Sequence, residues 1–183
     1  MRQPCPVWGR GISVFSLPAI DADLAAKFRA VKLLSLDLDG TLTDGGLYYA
    51  EDGSELRKYH VQDGFGILLV KDAGIEVALI TRSDTPAIQK RIDRLKIRFG
   101  LMGIYEKLPR LKEICAELGI GLNEVCHVAD DVNDMDVMEA VGLPIAVSNA
   151  RPMVKNAAAY ITETAGGAGA VREVCDLLLA HQV

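Results

Sequence analysis

The chain has no apolar run approaching the ~18–20 residues that a bilayer-crossing helix needs, so no membrane-spanning segment is expected. It also has no Lys/Arg-rich block. With 20 basic against 25 acidic residues the formal net charge is −5, so nucleic acid is not expected as the main partner. Its four cysteines, Cys5, Cys115, Cys126 and Cys175, are scattered and show no Cys-x-x-Cys spacing. Neither a structural zinc site nor a disulfide framework is therefore expected, and the cysteines read as reduced thiols of a cytoplasmic protein. The first ten residues hold two prolines and no continuous apolar segment, which does not read as a secretory signal. There is no internal repeat and no low-complexity segment. What is present is 183 residues, 50% hydrophobic and 25% charged, enough for one domain with a substantial core.

Short apolar runs alternate with helical stretches from residue 33 onward. Leu33, Leu34 and Leu36 read as a strand buried on both faces, and Ile75–Ile80 and Val125–Ala129 as further strands of the same kind. Weaker strand patterns lie near 97–100, 143–147 and 159–161. Helices are expected from Asp63 to the C-cap at Gly74, from Pro86 to Leu95, from 108 to 118, near 152–157 and from Ala170 to Leu179. Two β-prone runs around Glu51-Asp52-Gly53-Ser54 read as a hairpin over residues 47–60. The alternation predicts an α/β fold, a doubly wound parallel sheet. Residues 1–29 are expected to be an N-terminal arm, loose up to about residue 20, with a short helix from Asp21 to Ala30 capped by Asp21 or Asp23. Residues 30–183 form the expected domain. The Gly166-Gly167-Ala168-Gly169 stretch reads as a flexible, mobile element before the last helix.

Three of the predicted strands end in polar groups of complementary chemistry: Asp37 and Asp39 after the first, Thr81 after the second, and Asp130, Asp131 and Asp134 after Val125–Ala129. Lys107 opens a helix between them. In a parallel sheet these ends meet at one edge, where ligands bind. Asp37 and Asp39, two residues apart on an extended segment, point the same way and repel unless a proton or a cation lies between them. Carboxylates from two strand ends form a hard, all-oxygen set suited to Mg²⁺. A hydroxyl and an ammonium suit a phosphate, and a carboxylate can attack phosphorus. Together these point to phosphoryl chemistry.

The pattern resembles the haloacid dehalogenase superfamily, in Asp37-x-Asp39-Gly40-Thr41, Thr81, Lys107 and Asp130-Asp131-x-x-Asp134. More narrowly it resembles the capless phosphatases that act on 3-deoxy-D-manno-octulosonate 8-phosphate, a lipopolysaccharide precursor. That likeness rests on Leu42-Thr43-Asp44-Gly45, Val61-Gln62-Asp63-Gly64-Phe65-Gly66-Ile67, Ala73-Gly74-Ile75-Glu76-Val77 and 166–175, and it runs from about residue 30 to the end. The resemblance implies a Rossmann-like core and a Mg²⁺-dependent phosphatase working through an aspartyl-phosphate. Asp37 is then the nucleophile and Asp39 the general acid and base, while Thr81 and Lys107 bind the phosphate. Mg²⁺ is held by Asp37, the Asp39 carbonyl and Asp130, with Asp131 and Asp134 orienting its waters and Lys107. The gaps between motifs leave no room for a cap domain. The resemblance therefore also implies a homotetramer in which the hairpin over 47–60 closes a neighbouring site.

Departures from the family pattern fall at substrate positions. Thr-Gly-Arg is Thr81-Arg82-Ser83 here, Arg-Asp-Gly is Gln62-Asp63-Gly64, the arginine of Gly-Gly-Arg-Gly is Ala168, and Ala129 stands for a glycine. Ser, Gln and Ala cannot make an arginine's bidentate contact with an anion. Candidate substrate residues are therefore His60, Gln62, Asp63, Gly64, Arg82, Arg91 and Lys107. The expected substrate is an acidic sugar phosphate, with the eight-carbon octulosonate first and a nine-carbon ulosonate 9-phosphate second. His127 reads as a core histidine. Two other readings remain, a receiver domain and a non-catalytic binding protein on the same fold. The late Asp-Asp-x-x-Asp argues against the first, and the presence of both Asp37 and Asp39 against the second.

Overall fold

Leu33–Leu36 form the central strand, β1, with all four residues buried, as an apolar run flanked by strands on both edges requires. Residues 18–181 are described by the structure, a computed structural model. The expected loose arm therefore falls, as far as residue 17, outside the described residues. In chain order the elements are α1 (Ala22–Ala30), β1, β2 (Tyr48–Tyr49), β3 (Glu55–Leu56), α2 (Val61–Asp72), β4 (Glu76–Ile80), α3 (Pro86–Leu95) and β5 (Phe99–Leu101). They continue with α4 (Lys107–Leu118), β6 (Val125–Ala129), α5 (Met135–Ala140), β7 (Leu143–Ala146), α6 (Pro152–Ala157), β8 (Tyr160–Ile161) and α7 (Ala170–His181).

Six strands form one parallel sheet in the order β5-β4-β1-β6-β7-β8, and β2 and β3 form a separate antiparallel hairpin. The strand order reverses at β1, so the crevice at its carboxyl end lies between the β4 and β6 crossovers. Side-chain alternation sorts the core. Leu34, Leu36, Val77 and Leu79 pack toward α1, α2 and α7, while Leu33, Ala78, Ile80 and Val125 pack toward α4 and α5. Between β1 and β4 lie only the hairpin and α2, and between β4 and α4 only α3 and β5, so neither gap holds a cap domain.

Most expected elements form within a residue or two of their predicted bounds. α2 starts two residues earlier than expected, at Val61, and α5 has no counterpart in the sequence reading. Its six residues follow an acidic stretch whose turn residues mask so short a helix. The expected mobile element at 166–169 is instead packed on the loop after β1. Gly166 N–H donates to Asn149 Oδ1 at 2.7 Å and Gly167 N–H to the Thr41 carbonyl at 3.1 Å. A Cβ at Gly166 would lie 1.8 Å from the Gly40 carbonyl oxygen, so the glycine serves close approach rather than motion.

Asp21 caps α1, accepting the Leu24 N–H at 2.8 Å. Phe28 of this helix is fully buried and meets the Tyr160 ring edge-on, so residues 22–30 dock on the sheet layer. Truncating Phe28 to alanine is expected to cost about 3–5 kcal/mol in urea unfolding, where loss of an undocked helix would leave stability unchanged.

Candidate active site

The turn after β1 aims its carboxylates. Asp37 N–H donates to the Val128 carbonyl at 3.1 Å, keeping it in register with β6. The Leu38 carbonyl then accepts the N–H groups of Thr41, Leu42 and Thr43 at 3.3, 2.9 and 3.0 Å, closing a tight turn. Leu38 points into the core, so Asp37 and Asp39 face the opposite way. Gly40 has φ +87°, and a Cβ there would sit 2.1 Å from Asp130 Oδ2. Only glycine lets the acidic loop after β6 close over this turn. The result is a cleft of about 340 Å³ lined by Asp37, Asp39, Gly45, Thr81, Arg82, Asp130, Asp131 and Asn133.

Beneath the cleft Lys107, the first residue of α4, is fully buried and donates to Asp37 Oδ1 at 2.6 Å and to Asp134 at 2.8 Å. Asp134 also accepts from Asn133 at 2.9 Å and pairs with His127 Nε2 at 3.0 Å. His127 Nδ1 lies 3.0 Å from Ser35 Oγ, its partner across the β1–β6 register. His127 is thus buried in the core as expected, yet it belongs to the hydrogen-bonded chain that reaches the cleft. Burial works against the Lys107 ammonium, but the two carboxylates outweigh it and hold its pKa above the usual lysine range. For Asp134 burial is likewise outweighed, by His127 and then Lys107, and its pKa is lowered. Asp37 goes the other way, because burial dominates over Lys107 and raises its carboxyl.

Among the described residues no three His, Cys, Asp or Glu side chains converge as a metal cluster. The expected set needs only two carboxylates, Asp37 and Asp130, with one main-chain carbonyl. The residues fit a hard divalent cation. Asp130 Oδ1 is buried without a hydrogen-bond partner. Burial, then the charges of Asp37, Asp131 and Asp134, push the Asp130 carboxyl from 3.8 up to about 7. A divalent cation would relieve both the orphaned oxygen and the crowded charge. Asp131 is exposed and accepts the Val132 N–H at 2.7 Å, capping a short 3₁₀ turn at the cleft rim.

Thr81 and Arg82 line the cleft with the acids, and the Arg82 guanidinium lies 5.7 Å from the centre of the Tyr105 ring. Of the other candidate substrate residues, Lys107 lies buried beneath the cleft and the remaining five do not line it. Gln62 is exposed on α2. Asp63 is fully buried and accepts the Arg172 N–H of α7 at 2.8 Å, tying the two helices. Gly64 leaves room for Arg91, whose guanidinium stacks 5.0 Å from the Tyr59 ring centre and reaches the His60 carbonyl at 3.3 Å. His60 precedes α2, half-buried and outside any strand.

Arg57 went unrecognised in the sequence. Its Nε donates to Asp39 Oδ1 at 2.7 Å, and Ser83 Oγ donates to Asp39 Oδ2 at 2.6 Å. A hairpin arginine reads as surface charge, and no spacing rule links residue 57 to residue 39.

A family profile described as haloacid dehalogenase-like hydrolase matches residues 103–174, which span α4 to α7. The 3-deoxy-D-manno-octulosonate 8-phosphate phosphatase of Escherichia coli K12 is 42% identical over 163 residues, 89% of this chain and 87% of that protein. The chain belongs to this phosphatase family within the haloacid dehalogenase superfamily. The structure of the Yersinia pestis phosphatase superposes with a TM-score of 0.87 at 37% identity, covering 89% of this chain and 88% of that one. That of the Moraxella catarrhalis phosphatase, in complex with magnesium ion, phosphate ion and a KDO molecule, gives 0.85 at 35% identity, covering 87% and 92%. Both superpositions cover nearly the full length of the described domain.

Two measurements check this electrostatic arrangement. Lys107→Met strands Asp37 and Asp134 without their cation and is expected to cost about 3–5 kcal/mol in chemical unfolding. A loss under about 1 kcal/mol would contradict the buried pairing. The second concerns Asp130, whose folded pKa of about 7 exceeds its ordinary 3.8. In metal-free protein the folded state therefore holds the proton that the unfolded state has lost, so this contribution falls as pH rises through that window. Asp130→Asn is expected to flatten the decline in stability between about pH 4 and 7, as read by urea midpoints.

Proposed function

We propose that the chain is a Mg²⁺-dependent phosphatase of a phosphorylated sugar acid, with 3-deoxy-D-manno-octulosonate 8-phosphate as its substrate. The observation that carries this reading is the pairing of Asp37 with buried Lys107, beside an Asp130 oxygen that lacks a partner. Family membership at 42% identity supports the same substrate class.

Asp37 attacks phosphorus, forming an Asp37–phosphorus bond as the bond to the sugar oxygen breaks, and Asp39 gives that oxygen its proton. Water then attacks phosphorus, Asp39 takes the water proton, and the Asp37–phosphorus bond breaks to release phosphate. Thr81 and Lys107 hold the phosphate oxygens. Asp37, the Asp39 carbonyl and Asp130 would hold Mg²⁺, with Asp131 and Asp134 placed to orient its waters and Lys107. Bound there, the ion neutralises the crowded acids and clamps the phosphate. Arg82, without an ion pair among the described residues, offers the substrate carboxylate a cation at the cleft wall. A nine-carbon ulosonate 9-phosphate is the second reading. Ser83, which stands at an arginine position of the family, is bonded to Asp39 and gives a substrate anion no bidentate contact.

The assembly is proposed to be a homotetramer, in the cytoplasm. The hairpin and the outer face of α2 leave Leu47, Tyr48, Tyr49, Leu56, Val61, Phe65 and Leu68 exposed, with Val61 at 83%. An apolar surface of this kind is usually covered by a partner. The hairpin over 47–60 then closes a neighbouring cleft and excludes water from it. Residues 1–29 remain proposed as an arm to the catalytic domain, although their last turns of helix pack on it.

Phosphate release from a panel of phosphorylated sugar acids tests the reading. Turnover is expected to require Mg²⁺ and to fall by at least about 10³-fold in Asp37→Asn. No turnover of any panel member, or full activity in that variant, overturns it. Light scattering at micromolar concentration is expected to give a tetramer, and a monomer would overturn the assembly.

A further inference from the structure

The hairpin does more than present an outer surface. It sends one cation inward. The Arg57 side chain is only 2% exposed although it leaves a short, solvent-facing strand. Its Nε donates to Asp39 Oδ1 at 2.7 Å, its Nη1 donates to Thr85 Oγ1 at 3.2 Å, and it pairs with Glu55 of the strand it follows. The guanidinium is therefore fixed by three elements, β3, the loop after β4 and the turn after β1. Asp39 is 31% exposed and sits on a turn, where a lone carboxylate would rotate freely. Here both of its oxygens are held, Oδ1 by Arg57 and Oδ2 by Ser83 at 2.6 Å. Arg57 makes no hydrogen bond or ion pair with Asp37, Thr81 or Lys107.

We propose that Arg57 is a positioning residue that sets the orientation of Asp39 for proton transfer, making the hairpin part of its own chain's site. The inference rests on the proposed function, in which Asp39 serves both half-reactions. A fork of N–H donors held rigid by its own partners orients a carboxylate far better than a mobile ammonium would. Phosphate binding by Thr81 and Lys107 does not pass through Arg57. Its loss is therefore expected to appear in the steps that use Asp39 and not in affinity.

The test compares wild type, Arg57→Met and Arg57→Lys, with Mg²⁺, on the sugar-acid phosphate and on p-nitrophenyl phosphate. In Arg57→Met kcat is expected to fall about a hundredfold on the sugar-acid phosphate while KM stays within about threefold. The aryl leaving group needs no proton, so its first half-reaction persists and the second slows. The variant is then expected to show a larger burst of nitrophenol than wild type. Arg57→Lys is expected to regain part of kcat. A kcat in Arg57→Met within about twofold of wild type overturns the proposal, as does a fall in kcat with no added burst. Should wild type hydrolyse neither substrate, the proposed function fails on its own account. The crystal structure of Arg57→Met then decides the positioning: an Asp39 carboxylate turned away from Ser83 supports it, and an unmoved one overturns it.

Discussion

A buried ammonium shared between two carboxylates is the interaction on which the rest of the site depends. Lys107 has no access to water, and only the proximity of Asp37 and Asp134 makes its charge tolerable there. The same contact fixes where Asp37 points, because one of its two oxygens is bound to Lys107 and the other is left toward the cleft. His127 and Ser35 extend the arrangement one layer deeper, holding Asp134 so that it can hold Lys107. A residue deep in the sheet thereby bears on the orientation of the Asp37 carboxylate.

The parallel sheet makes such a cluster possible. Asp37, Thr81 and Asp130 follow strands that are neighbours in space, β1, β4 and β6, though they lie far apart in sequence. Their convergence crowds the Asp37 and Asp130 carboxylates, with Asp131 and Asp134 close by, and burial adds to a repulsion that Lys107 does not fully offset. The raised Asp130 carboxyl and its orphaned oxygen are the residue of that imbalance. A divalent cation is what the imbalance calls for. The turn after β1 can be this crowded because Gly40 and Gly166 allow backbone and carboxylate to approach where any side chain would collide.

Much of this was legible in the sequence. Strand ends carry chemistry in a parallel sheet, so Asp37, Asp39, Thr81, Lys107 and Asp130 could be grouped from periodicity and order alone. Three kinds of feature could not. Arg57 reaches Asp39 through the fold of a hairpin, a path with no local signature. The Ser35–His127 pair depends on strand register, which follows only once β1 and β6 are known to be neighbours. The 166–169 glycines read as flexible because glycine's two uses, freedom and close approach, look alike in one dimension. The candidate substrate positions were the least legible: Gln62, Asp63 and Gly64 belong to a family motif, yet with His60 and Arg91 they sit around α2, away from the cleft lining.

The central claim is that Asp37 carries the phosphoryl group. Rapid acid quench during turnover, followed by borohydride reduction and peptide mapping, tests it most directly. An acyl phosphate is reduced at its own carboxyl, so the account predicts homoserine at position 37 and at no other aspartate. Reduction at a different aspartate, or none while phosphate is being released, would contradict it.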